Sequence, residues 1–332
     1  MTTDQDITEL LAAGDEALAE AGFRTGDFTA ARELLERAAE AAGKADDKDG
    51  SARAANSRAM VLHYDSITKL MTGEEPDRAD VDAEERLFRQ ALAHWQGTGN
   101  HADSAQSLFG LGLVYQVLHR DWMTAMPYYW QALDLVTKPD SGADLYLRSE
   151  VHRHVGFYFH YEAGQPAEAV RHLQLSLDLR EELGDPRRIP SGLVALGEAE
   201  LAAGNRDRAV ELLRRAVAQA RGAGLTSARI EATEQALREA EAGGSQPQPD
   251  QATPATAGTD ATAATAAGTA ETADVTAETE TETETGTDTE ADQAAAESAA
   301  DHADDGTHAE ADQAAAESAA DHADDGTDAD TE

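Results

Sequence analysis

Three stretches of this chain fall into one register, and that register dictates helices packed in pairs. The first is Leu108-x2-Leu111-Gly112-x2-Tyr115, followed by Ala125-x3-Tyr129-x2-Ala132-Leu133 and then Pro139. The second is His152-x2-Val155-Gly156-x2-Phe159, with Gly164, Ala169, Leu173, Ser176 and Leu177 behind it. The third is Leu193-x2-Leu196-Gly197-x2-Glu200, then Gly204, Ala209, Leu213 and Ala216. Spacings of three and four put the apolar residues on one helical face. The small residues Gly112, Gly156 and Gly197 permit close approach of a partner helix, and the alanines of the second segment do the same from the other side. Large residues such as Tyr115, Tyr129, Phe159 and Leu213 fill the gaps that remain. Gly164 and Gly204 stand where a helix end needs a left-handed residue.

Two weaker copies come earlier. "GFRTGDFTAARELLERAAEAAG" supplies Gly26, Ala31, Leu35 and Ala38; "RAMVLHY" with "EERLFRQALAHW" supplies Ala59, Leu62, Phe88, Ala91 and Leu92. The loop between the helices of this second pair, "MTGEEPDRADVD", reads as longer than its equivalents. The matching positions Ala38, Ala91, Ala132, Ser176 and Ala216 are 53, 41, 44 and 40 residues apart. A stacked array needs a polar-backed end. "LTSARIEATEQALREAEAGG" fits one, with Ile230, Thr233, Leu237 and Ala240 as its inward stripe and Arg229, Glu231, Glu234 and Arg238 outside.

Over roughly residues 7 to 224 the chain resembles the tetratricopeptide repeat (TPR) family, in the variant with repeats of about 40 residues. "REELGD" at Arg180 to Asp185 and "WQGTGN" at Trp95 to Asn100 are similar to the turn that ends its second helices. Glu200 and Arg58 depart from the family's apolar choice at their places. The resemblance implies an all-α fold: a right-handed α-solenoid of about five TPR-like antiparallel helix pairs over residues 1–243, closed by a C-terminal capping helix at 225–243. It also implies that first helices line a concave groove and second helices lie outside. Carried over residue by residue, Glu150, Arg153, Phe157, His160 and Tyr161 face the groove. Arg53, Asn56, His63 and Tyr64 take the matching places in the weaker copy, and Phe109 and Gln116 in the middle one. A His-Tyr pair thus recurs at His63-Tyr64 and His160-Tyr161. Such a surface suits an extended peptide or a small amphipathic ligand. The family's carboxylate clamp needs Lys and Asn on successive first helices. Lys44, Lys48, Lys69 and Lys138 are the only lysines, and none holds such a position.

Nothing in the sequence signals catalysis. There is no P-loop, no His-Glu-x-x-His and no nucleophile elbow, and Gly110-x-Gly112 lies inside a helix. The stretch "HRHVGFYFHY", His152 to Tyr161, invites a metal reading, but its histidines are spaced by two, six and eight. One helix face chelates at spacings of three or four. The chain also has no cysteine, which removes disulfides and thiolate sites. The expectation is therefore no enzyme, no catalytic residue, no metal and no cofactor.

Charge and composition bound the rest. The formal net charge is -39, and residues 244–332 hold 24 Asp and Glu with no Lys or Arg. Both parts of the chain repel phosphate backbones, which argues against nucleic acid. The segment 244–332 has one branched apolar residue, Val275, and repeats "EADQAAAESAADHADDGT" at Glu290 to Thr307 and Glu310 to Thr327. Ordering it would cost about 1–2 kcal/mol per residue with nothing buried in return. It reads as a disordered acidic low-complexity tail. No signal peptide or membrane span is visible, so the expectation is cytoplasmic. Together these point to a scaffold that binds a protein or peptide segment in its groove, with self-association left open. The alternative is a sensor, responsive to a ligand or signalling peptide, whose output a separate chain supplies.

Overall fold

The computed structural model describes residues 4–243. The expected acidic tail, 244–332, lies outside the described residues. Within them the fold is all-α, a solenoid of eleven α-helices that pack in chain order, with no strand among the described residues. Five antiparallel pairs follow one another: α1 (Asp4–Glu20) with α2 (Thr29–Ala45), α3 (Lys48–Met71) with α4 (Arg78–Trp95), α5 (His101–Leu113) with α6 (Trp122–Val136), α7 (Leu145–Phe157) with α8 (Pro166–Leu183), and α9 (Ile189–Ala202) with α10 (Arg206–Gly222). The cap is α11 (Ser227–Ala242). No helix of the described residues is long and apolar enough to cross a membrane.

The glycines bring the paired helices together. A Cβ on Gly112 would lie 2.4 Å from the Tyr129 ring, one on Gly156 2.7 Å from Leu173, and one on Gly197 2.9 Å from Leu213. Gly14 does the same against Leu35 at 2.4 Å in the first pair, where the sequence pattern is weakest. Gly164 and Gly204 take φ of +61° and +84°, the left-handed conformation their turns require. Asp and Asn side chains cap helix starts. Asp47 accepts from Gly50 N, Asn100 from Asp103 N, Asp121 from Thr124 N and Asp144 from Leu147 N, at 2.7–3.1 Å. Asp77 caps α4 seven residues ahead of Glu84, so the second pair's loop is shorter than its sequence suggests.

Three first helices widen into a π-helical turn before the second helix begins: Ala21–Thr25, Val114–Leu118 and Tyr158–Glu162. In each, an amide reaches back five residues, as Gly26 N does to Ala21 O at 2.8 Å and Ala163 N to Tyr158 O at 2.9 Å. Such turns displace the side chains that follow and recur at functional sites.

The array closes on itself. Ala19 and Phe23, at the end of the first inner helix, pack with Ala220, Ala223 and Leu225 at the far end of the chain. Arg24 donates to Ala223 O at 3.1 Å, and Thr226 N donates to Phe23 O at 3.3 Å. Arg229 donates to Gly22 O through Nε at 3.1 Å and a terminal nitrogen at 2.7 Å. The outward place expected for Arg229 is thus corrected. It is buried, because the first helix docks where an open array would meet solvent. Glu231 and Arg238 do face outward.

Candidate functional site

The inner helices carry a run of polar side chains rather than an open groove. Of the expected groove residues, Asn56, His63, Tyr64, Phe109, Gln116, Glu150, Arg153 and Phe157 are buried. His160 and Tyr161 are half-buried, and Arg53 is exposed. The array curls until successive inner helices lean on one another, so most of these residues meet protein instead of solvent. The expectation of an accessible groove along their whole length is corrected on that ground.

What they form is a series of links between pairs. Arg53 reaches from α3 to Asp103 on α5 at 2.9 and 3.1 Å. Asn56 accepts from Ser107 Oγ at 3.0 Å across the same boundary. His63 Nδ1 lies 2.7 Å from Glu84 Oε1, with both side chains wholly buried; burial pushes the Glu84 carboxyl up, and His63 opposes it. Tyr64 OH meets Tyr146 OH on α7 at 3.2 Å.

In the middle pairs Gln116 Oε1 accepts from Tyr129 OH at 2.5 Å and pairs with His154 Nδ1 at 2.7 Å. An amide oxygen only accepts, so His154 carries its proton on Nδ1 there. The ring of Phe109 packs edge-on against His154 at 5.2 Å. Glu150 is paired with Arg180, which also donates to Arg188 O at 2.6 Å and Ser191 Oγ at 2.8 Å. That buried ion pair fastens α7, α8 and the start of α9. Removing either partner alone would strand the other charge.

Between α7 and α9 the inner face is less enclosed. The Arg153 guanidinium lies over the Phe157 ring at 4.7 Å, and Phe157 contacts Tyr161 at 5.7 Å. His160 packs edge-on to Tyr161 at 4.3 Å, and Tyr161 OH donates to Glu198 Oε2 at 3.1 Å. Burial raises Glu198 to about 7, against the pull of Tyr161 and Arg153. Burial also lowers His160 to about 4. Here the buried Arg153 and Phe157 meet the half-buried His160, Tyr161 and Glu198 in one cluster. Glu198 is absent from the sequence-derived set, although it follows Gly197 as Phe157 follows Gly156 and so shares its register. The signal was present in the spacing; an acidic residue in an aromatic place hid it.

The other histidine of that stretch, His152, meets His172 on α8, Nδ1 to Nδ1 at 3.0 Å. Among the described residues no group of three or more His, Asp and Glu could hold a metal ion. Two surface clefts lie elsewhere, one beside Arg206, Val210, Arg214 and Glu241, the other between Asp46, Lys48, Gln90 and His94.

No protein-family profile matches the chain, and no curated protein does. Among solved structures 31 chains match. One is BtubC (BKLC) from P. vanneervenii, 17% identical, with a TM-score of 0.39, covering 66% of this chain and 91% of that one. At that TM-score the likeness carries no argument, so function must be read from this chain's own residues.

Proposed function

We propose that the chain is an interaction protein of the tetratricopeptide type that takes a segment of a protein partner at its inner face, at the half-buried cluster between α7 and α9. The observation that carries this reading is the composition of that cluster. Arg153, Phe157, His160, Tyr161 and Glu198 place a cation, two rings, an imidazole and a protonatable carboxyl side by side where simple helix packing needs only apolar side chains. Aromatic and Arg side chains at a partly desolvated centre are the usual anchors of binding energy. Affinity capture with the full chain tests it. Tyr161→Ala with Glu198→Gln should reduce recovery of the specific partner, identified by mass spectrometry, by roughly tenfold or more, while Met123→Ser on the outer surface leaves it unchanged. Equal recovery by the Tyr161→Ala, Glu198→Gln variant contradicts the assignment.

The sensor reading draws support from a different observation. The ends of the array meet, and a ligand that bound an open form better than this closed one would shift the balance between them.

A further inference from the structure

The main interfaces of the array join helices one or two places apart in the chain, whereas one joins its first helix to its last. That one is the seam. It ties residues about 200 apart: Arg24 and Ala223 are separated by 199 positions, Gly22 and Arg229 by 207. The seam is also built differently from the pair interiors. Its buried apolar side chains are Ala19, Phe23, Ala220, Ala223 and Leu225, three of them alanines. Around Phe23 the contacts are made by charged side chains. Arg188 and Arg229 lie over its ring at 5.2 and 5.1 Å. Arg187, in the turn between α8 and α9, reaches Glu16 at 2.7 Å and Glu20 at 3.7 Å. The hydrogen bonds across it run from Arg24, Arg229 and the Thr226 amide to backbone carbonyls. Opening this seam breaks no helix and separates no consecutive pair.

The seam borders the inner face. Phe23 sits three residues before Gly26, as Tyr161 sits three before Gly164, so it holds an inner-face place. Gly22 lies against the Tyr64 ring, which meets Tyr146, and Arg188 covers Tyr146 at 3.6 Å. The side chains that hold the ends together also roof the inner helices.

We propose that the seam between the first inner helix and the cap is a releasable clasp, which opens as a unit to bare the inner faces of α7 and α9 while the helix pairs stay folded. The inference rests on the inner-face binding reading for its purpose, but its test needs no partner. The chain lacks cysteine, and Thr25 and Ser227 are exposed on either side of the Phe23–Thr226 hydrogen bond. The full-length protein with Thr25→Cys and Ser227→Cys, joined by a cleavable bis-maleimide, is compared with wild type and with Arg229→Ala by hydrogen exchange. Losing the charged hydrogen bonds of Arg229 should speed exchange of the peptides from α7 and α9 by roughly tenfold or more, with α4 and α6 unchanged. The cross-link should slow α7 and α9 below wild type, and cleaving it should restore them. The clasp is overturned if the cross-link leaves α7 and α9 unchanged, or if Arg229→Ala speeds all helices together. If Arg229→Ala fails to fold, the cross-linked and cleaved forms decide alone. Partner binding is judged separately by the capture experiment, so either idea can fail without the other.

Discussion

Glu198 and His160 flank Tyr161 and respond to burial in opposite ways. Glu198, raised from 4.5 to about 7, keeps its proton in the folded state over a range where the unfolded chain has lost it. Its contribution to stability therefore falls as pH rises from about 4.5 to about 7. His160, lowered from 6.5 to about 4, binds its proton more readily when unfolded, so its contribution falls as pH drops below about 6.5. The two slopes offset each other in the overlap. Glu198→Gln removes the first alone, and its melting temperature should rise with pH between 4.5 and 7 more steeply than that of wild type. Parallel profiles for the two proteins would show that Glu198 is ionised in the folded state. Residues of this kind are the least legible in a sequence. The register places Glu198 on the inner face, but only three-dimensional neighbours set its charge.

At the scale of the element, the pairing of a glycine on one helix with a large residue on the next explains the stacking. Gly112→Ala would put a methyl group against the Tyr129 ring, which is itself fixed by Gln116, so neither side yields easily. Overpacking of this type costs about 1–3 kcal/mol. Thermal melting of the variant should show the loss, and an unchanged midpoint would mean that the two helices separate to accommodate it. These pairs were readable from spacing alone, because a helix repeats its face every three or four residues and close approach leaves room for little but glycine or alanine. The helix order and the cap followed from the same pattern. The start of α4 did not, since Asp77 and the polar turn that follows belong to the helix through capping rather than through an apolar stripe. The π-helical turns after α1, α5 and α7 likewise leave no mark on the apolar pattern, yet they set where Phe23 and Tyr161 point.

For the whole molecule, the pattern of each repeat says how one pair meets the next, but not how far the sum of those angles turns. Small rotations accumulate over five pairs until the ends meet. That accumulation converts an expected open groove into a covered inner face, and it turns Arg229 from an outward residue into a buried one. Arg53, Asn56, His63, Gln116 and Glu150 thereby bind neighbouring helices, while Arg153, Phe157, His160, Tyr161 and Glu198 form a cluster that stays partly exposed. The most direct test of this closure is the distance between the two ends. Nitroxide labels on Thr25→Cys and Ser227→Cys, in the otherwise cysteine-free full-length chain, report it by pulsed electron resonance. Closure predicts one narrow population at a short separation. A broad or uniformly long distribution would show that the ends do not meet, and the covered inner face would fall with it.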